Sequence, residues 1–204
     1  MPDPAFLVTV FVTLFVVIDP IGLAPLFIAL TQGMDRAQRV AVGLRACIIA
    51  VVLLLVFGLA GEVILAAIGI TMPAFQIAGG ILLFLIALDM VFERRSARRA
   101  GHATADHDPS VFPLAMPLIA GPGAMAAMIL LVGETGWQWA GVLAVHVAMV
   151  AVIAMAFLLF LVAMPLERAL GRTGTMVITR LLGMLLAALS VQFVLNGLRG
   201  AGLT

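Results

Sequence analysis

A carboxylate stands inside an apolar stretch, directly before a proline, in Ile18-Asp19-Pro20-Ile21-Gly22-Leu23-Ala24-Pro25. Pro20 and Pro25 cannot donate to the carbonyls of Val16 and Ile21, four residues earlier, so the helix is expected to kink or open there. Aspartate followed by proline also reads as an N-cap and first-turn pair. A fresh half-helix of about 11 residues is therefore predicted to begin at Pro20, with its positive dipole end at mid-membrane. The device recurs as Ala120-Gly121-Pro122-Gly123-Ala124, with Pro113 and Pro117 loosening the segment before it. Backbone amides at such helix starts suit a carboxylate, whereas opened carbonyls and Asp19 suit an ammonium group or a coupling cation.

The remaining polar residues have structural readings beside functional ones. Asp89 is expected near a span end, paired with Arg45 or Arg94, although a transport role stays open. Arg45 is placed about one turn inside its helix, where it can snorkel to the headgroups or anchor a carboxylate. His146 lies well inside a span, as a neutral hydrogen-bonded histidine or a proton relay. Gln192 and Asn196 share a helix face at i and i+4, near Ser190, and either join helices or touch substrate. His102, Asp106, His107 and Asp108 have metal-ligand chemistry, but a polar loop of this kind reads as solvated, so no metal or other cofactor is expected. Proton or sodium coupling is the energy source such a site would use.

Only long apolar elements can position these groups. The chain has 204 residues, 64% hydrophobic and 10% charged, with mean hydropathy +1.26, which excludes a soluble domain. The apolar runs do not alternate, and Cys47 is the only cysteine, so neither a β-barrel nor a disulfide scaffold fits. A net charge of +1 gives no reason to expect a nucleic-acid partner. Met1-Pro-Asp-Pro lacks the basic region of a cleavable signal, so the first stretch is expected to be retained.

Windows of about 20 apolar residues place six spans near 5–30, 41–68, 74–92, 113–132, 138–164 and 177–199. Ten of the 11 basic residues, all arginine, fall at the first, third and fifth loops; Arg199 alone lies at the other face. By the positive-inside rule those loops are cytoplasmic and both termini are outside.

The polar stretch 93–112 divides the chain into two three-span halves, 1–92 and 113–204, and an odd number of spans per half requires that any repeat be inverted. A shift of 102 puts Pro20 on Pro122. A shift of 103 puts Gly80, Leu82, Leu83 and Val91 on Gly183, Leu185, Leu186 and Val194. The expected fold is thus all-α, with two inverted three-helix repeats, each broken in its first helix near the midplane.

Four motifs resemble the MarC family of bacterial inner-membrane proteins: 19–25 (DPIGLAP), 74–89 (AFQIAGGILLFLIALD), 113–123 (PLAMPLIAGPG) and 191–197 (VQFVLNG). The resemblance spans nearly the whole chain and is weakest over 93–112. It implies transport of small neutral amino acids such as alanine and glycine, with kinship to LysE-type exporters. It implies no residue-level mechanism.

The expected function is therefore alternating-access transport of a small neutral amino acid. Asp19, Pro20, Gly22, Pro25, Gly121, Pro122, Gly123, Gln192 and Asn196 are the candidate substrate residues, while Asp89, Arg45 and His146 are candidate coupling or ion-pair residues. Export of other small metabolites, drugs or divalent cations is the alternative. An intramembrane protease is disfavoured because Tyr-Asp, Gly-x-Gly-Asp and His-Glu-x-x-His motifs are missing, and a purely regulatory membrane protein would have no use for a polar midplane.

Overall fold

A computed structural model of the chain describes residues 3–92 and 108–203, and every described regular element is helical. Helix α1 spans Pro4–Ile18, α2 Pro20–Leu30, α3 Arg36–Ala67 and α4 Met72–Val91. An irregularly wound segment, Ser110–Ile119, leads into α5 (Pro122–Glu134), followed by α6 (Trp139–Leu161) and α7 (Ala163–Gly200). Five stretches are long and apolar enough to cross a membrane, and six if Ser110–Ile119 and α5, bent by 51°, form one span.

The helix ends follow local chemistry. Asp3 accepts from the Ala5 amide at 3.1 Å ahead of Pro4, and Thr71 accepts from the Ala74 amide at 3.4 Å. Helix α3 starts at Arg36 rather than near 41, because Asp35 and Gln38 form a capping box: each side chain accepts from the other residue's amide, at 2.8 and 3.0 Å. Its 32 residues extend about 48 Å, more than the roughly 30 Å hydrocarbon layer, so the arginine-bearing first turns can stand in the headgroup region. In α7 a left-handed Gly171, at φ 62°, interrupts the winding before the apolar run Met176–Gly200.

The surface is that of a lipid-solvated bundle. Val63 is 66% exposed and Leu143 65%, among many large apolar side chains on the outward faces, a pattern that would aggregate in water. Leu14, Ile18, Leu23, Leu83, Ile119 and Leu130 are fully buried in the interior.

Helix α4 packs against the C-terminal half of α7, and glycines bring the two close. A Cβ on Gly80 would stand 2.7 Å from Val194 Cγ2 and 2.8 Å from the Ser190 carbonyl oxygen. A Cβ on Gly183 would stand 2.9 Å from Met90 Cβ, 3.1 Å from the Ala87 carbonyl oxygen and 3.1 Å from Val91 Cγ2. Backbone approach of this kind is what small residues permit between helices in lipid.

Of the stretch read as a polar loop, 93–107 lies outside the described residues, and with it Arg94, His102, Asp106 and His107. Asp108 through Phe112 are described and belong structurally to the second half of the chain, since Ser110–Phe112 already form the start of the wound segment.

Candidate functional site

Asp19 ends one helix and begins the next. Its amide donates to the Phe15 carbonyl at 2.9 Å, its carbonyl accepts from Leu23 at 3.0 Å, and its side-chain Oδ1 accepts from the Gly22 amide at 3.0 Å. The backbone between these bonds is left-handed, at φ 55° and ψ 62°, a region that aspartate tolerates better than most residues. Pro20 occupies the first helical position, where its lack of an N–H costs nothing. A Cβ on Gly22 would collide with the Asp19 carboxylate, so glycine at 22 is what lets the carboxylate lie over the helix start. Pro25 sits in the middle of α2, leaving the Ile21 carbonyl without its usual helical donor. Asp19 is only 1% exposed and Pro20 is buried, while Ile21 and Gly22 are half-buried.

The second break differs in how its helix start is satisfied. Gly121, extended at φ −80° and ψ 170°, precedes Pro122, again in the first helical position, and among the described residues no side chain caps α5. The amides of its first turn therefore lack the carboxylate that α2 has. In the segment before it, the Phe112-Pro113 and Met116-Pro117 bonds are cis, and Phe112 and Met116 are extended. A Cβ on Gly121 would stand 2.5 Å from the Pro117 carbonyl oxygen. Pro122 is exposed, whereas Gly123 is buried against Ile86 and lies where a Cβ would be 3.4 Å from Val17 Cγ1.

The first turn of α5 thus rests on the last turn of α1, two residues before Asp19. Helix lengths agree with that contact. Asp19 lies about 22 Å from the start of α1, and Pro122 about 18 Å from the end of α5, so with those ends level the two helix starts fall within about one helical turn of each other in depth.

Arg45 pairs with Asp108 at 2.5 Å, and both partners are substantially exposed; Arg94, the other partner expected for Asp89, lies outside the described residues. The reason is chain geometry: Asp108 opens the wound segment, which packs on α3. Ser110 donates through its hydroxyl, at 2.7 Å, and its amide, at 3.0 Å, to Asp108 Oδ1. These bonds, with Arg45 adding less, hold the Asp108 carboxyl below its ordinary range. Asp89 is half-buried two residues before the end of α4.

His146 is buried, and its Nδ1–H donates to the Val142 carbonyl at 2.8 Å. Its Nε2 has no partner among the described residues and faces α3, where a Cβ on Gly58 would stand 2.6 Å away. Gln192 is exposed and donates to Asn196 at 2.9 Å, and Asn196 donates to Glu134 at 3.3 Å. Glu134 lies 12 residues, about 18 Å, beyond Pro122 along α5, so this trio forms a polar cluster at the far helix end rather than around Asp19. Glu62, which accepts from the Trp137 indole, ties α3 to the α5–α6 turn.

Sequence reasoning missed a cavity of about 440 Å³ between the ends of α2, α3 and α6, at the arginine-bearing face. Phe27 and Phe160 stack above it with ring centroids 4.5 Å apart. The signal lay in Phe27, Gly43 and the Phe157/Phe160 pair, which come from three helices far apart in the chain and share no motif. A smaller cavity of about 340 Å³ lies at the α3–α4 turn, beside Glu62 and Thr71.

Long apolar helices, lipid-type exposure and a helix break with its Asp19 buried in the bundle define a multi-pass integral membrane protein. The profile of the MarC family integral membrane proteins matches residues 5–202, and the chain belongs to that family. A UPF0056 membrane protein of Methanocaldococcus jannaschii is 36% identical, over 98% of each chain. The UPF0056 membrane protein YvbG of Bacillus subtilis is 37% identical over 96% of this chain and 95% of its own. The UPF0056 inner membrane protein YhgN of Escherichia coli is 34% identical over 92% and 93%. No solved structure matches the chain.

Proposed function

We propose that the protein is a secondary transporter of small neutral amino acids, of the alanine and glycine class, working by alternating access in the cytoplasmic membrane with both termini outside. The observation that carries the reading is the pair of helix starts near one depth: α2 capped by buried Asp19, α5 uncapped and resting beside it. A zwitterion carries a charge suited to each. Its carboxylate would take the free amides around Gly121-Pro122-Gly123, and its ammonium group would take the carboxyl of Asp19.

An inverted repeat supports alternating access, and the α4–α7 contacts favour one. Gly80 meets Ser190 and Val194, while Gly183 meets Ala87 and Val91. An offset of 103 turns 80, 87 and 91 into 183, 190 and 194, so the two contacts are the same contact with the halves exchanged. Helix pairs related in this way can rock about a fixed central site. The closed state of Asp19 corresponds to an occluded stage of that cycle.

The test is uptake of labelled alanine or glycine by proteoliposomes under imposed proton or sodium gradients. Flux by the wild type, lost in Asp19→Asn, is the expected result. Absence of flux for both amino acids under every gradient would remove the substrate assignment, and undiminished flux by Asp19→Asn would remove that residue from the mechanism.

A further inference from the structure

The 440 Å³ cavity at the arginine-bearing end is separate from the helix breaks and is chemically two-sided. Its body is apolar, built from Phe27 of α2, Gly43 of α3 and Phe160 and Leu161 of α6, and its volume falls in the roughly 300–1,000 Å³ range of small-molecule sites. Arg36 and Arg39, three residues apart in the first turn of α3, line the same cavity. Arg39 Nε donates to the Met34 carbonyl at 3.2 Å, which fixes that side chain at the wall. Among the described residues beside them, Asp35 has its Oδ1 committed to the Gln38 amide in capping α3.

The cavity also borders the lipid. Leu161, a wall residue, is 47% exposed, and Leu158 on the same helix is 60% exposed. An occupant can therefore enter sideways from the hydrocarbon. Among the described residues the charged side chains lining the cavity, Arg36 and Arg39, are both cationic, which favours an anionic headgroup. A free phosphate would leave the phenylalanine-lined body unfilled.

The geometry points to a binding site for an anionic phospholipid, with its phosphate on Arg36 and Arg39 and one acyl chain in the body beneath Phe27 and Phe160. Basic pockets between helices at the membrane surface recognise lipid headgroups in this way. Gly43 sets the depth: a Cβ there would stand 3.4 Å from the Phe27 ring and 3.6 Å from Phe157, so a branched side chain would fill the space.

The experiment is native mass spectrometry of the full-length protein in neutral detergent, titrated with phosphatidylglycerol or phosphatidylcholine. Two arginines, at about 1 kcal/mol each near a membrane surface, correspond to a preference of roughly thirty-fold for phosphatidylglycerol. The double variant Arg36→Gln/Arg39→Gln, at an exposed and a half-buried position in the first turn of α3, should keep its unfolding midpoint and lose the preference. Gly43→Leu should bind fewer molecules of either lipid. An unchanged preference in the arginine variant would overturn the proposal. Displacement of the lipid by millimolar inorganic phosphate, with Gly43→Leu without effect, would overturn it too by identifying a site for soluble anions. Amino-acid flux is not the readout, so these results stand or fall apart from the transport reading.

Discussion

Substituting Asp19 separates two roles that the structure gives to one side chain. The carboxylate caps α2 through the Gly22 amide, and the backbone beneath it is left-handed. Asparagine preserves both features, since it caps as well as aspartate and visits the left-handed region, so Asp19→Asn should unfold within about 0.5 kcal/mol of the wild type. Alanine forfeits the cap, about 1 kcal/mol, and adds about 1–2 kcal/mol of left-handed strain, for a loss of about 2–3 kcal/mol. Glycine keeps the backbone freedom and loses only a few tenths on the cap scale, so it should fall between them. Denaturant unfolding in micelles, followed by circular dichroism, measures the series, and alanine or glycine uptake measures the charge. The expected pattern is a stable Asn variant that does not transport and an Ala variant that is weakened as well as inactive. An Ala variant as stable as Asn would refute the capping argument, whatever the flux.

Other perturbations act on single contacts. Gly80→Ala and Gly183→Ala each drive a Cβ toward the backbone of the facing helix, so each should cost about 1–3 kcal/mol in the same unfolding assay; little loss in either would contradict the close α4–α7 approach. Asp108→Asn should cost less than about 1 kcal/mol because its pair with Arg45 is exposed, and should leave transport intact. Since the folded state lowers the Asp108 pKa, its contribution is present above the ordinary carboxylate range near about 4 and fades as pH falls through the lower folded value. The Asn variant should therefore show a shallower acid-side loss of stability, and an identical pH profile would count against this assignment. His146→Leu removes an unpartnered buried Nε2 and should be neutral or stabilising; retained flux would assign His146 to packing, and lost flux with intact folding would assign it to proton movement.

The order and type of the helices are plain in the sequence because hydropathy and proline spacing act locally. The half-helix from Pro20 to Leu30 follows from Asp19-Pro20 alone, and the wound segment from Pro113 and Pro117. Tertiary pairings are less accessible. Arg45 sits one span from Asp89 along the chain, yet meets Asp108 because the wound segment folds back on α3. Gln192 and Asn196 do share a face, but which neighbour they meet depends on where α5 ends, and that partner is Glu134. The cap on α2 is legible in Asp19-Pro20 and the lack of a side-chain cap on α5 in Gly121, which has no side chain to offer; the left-handed backbone that lays the carboxylate over the helix start is not.

The most direct test of paired helix starts as a solute site uses one engineered thiol. In a Cys47→Ala background, Pro122→Cys places a reactive group at the exposed, uncapped start of α5. Alkylation by a membrane-impermeant reagent, applied from either side of sealed vesicles, reports access, and saturating alanine or glycine reports occupancy. The expected result is labelling from both sides, slowed severalfold by the amino acid. Labelling from one side only, at a rate indifferent to either amino acid, would contradict it.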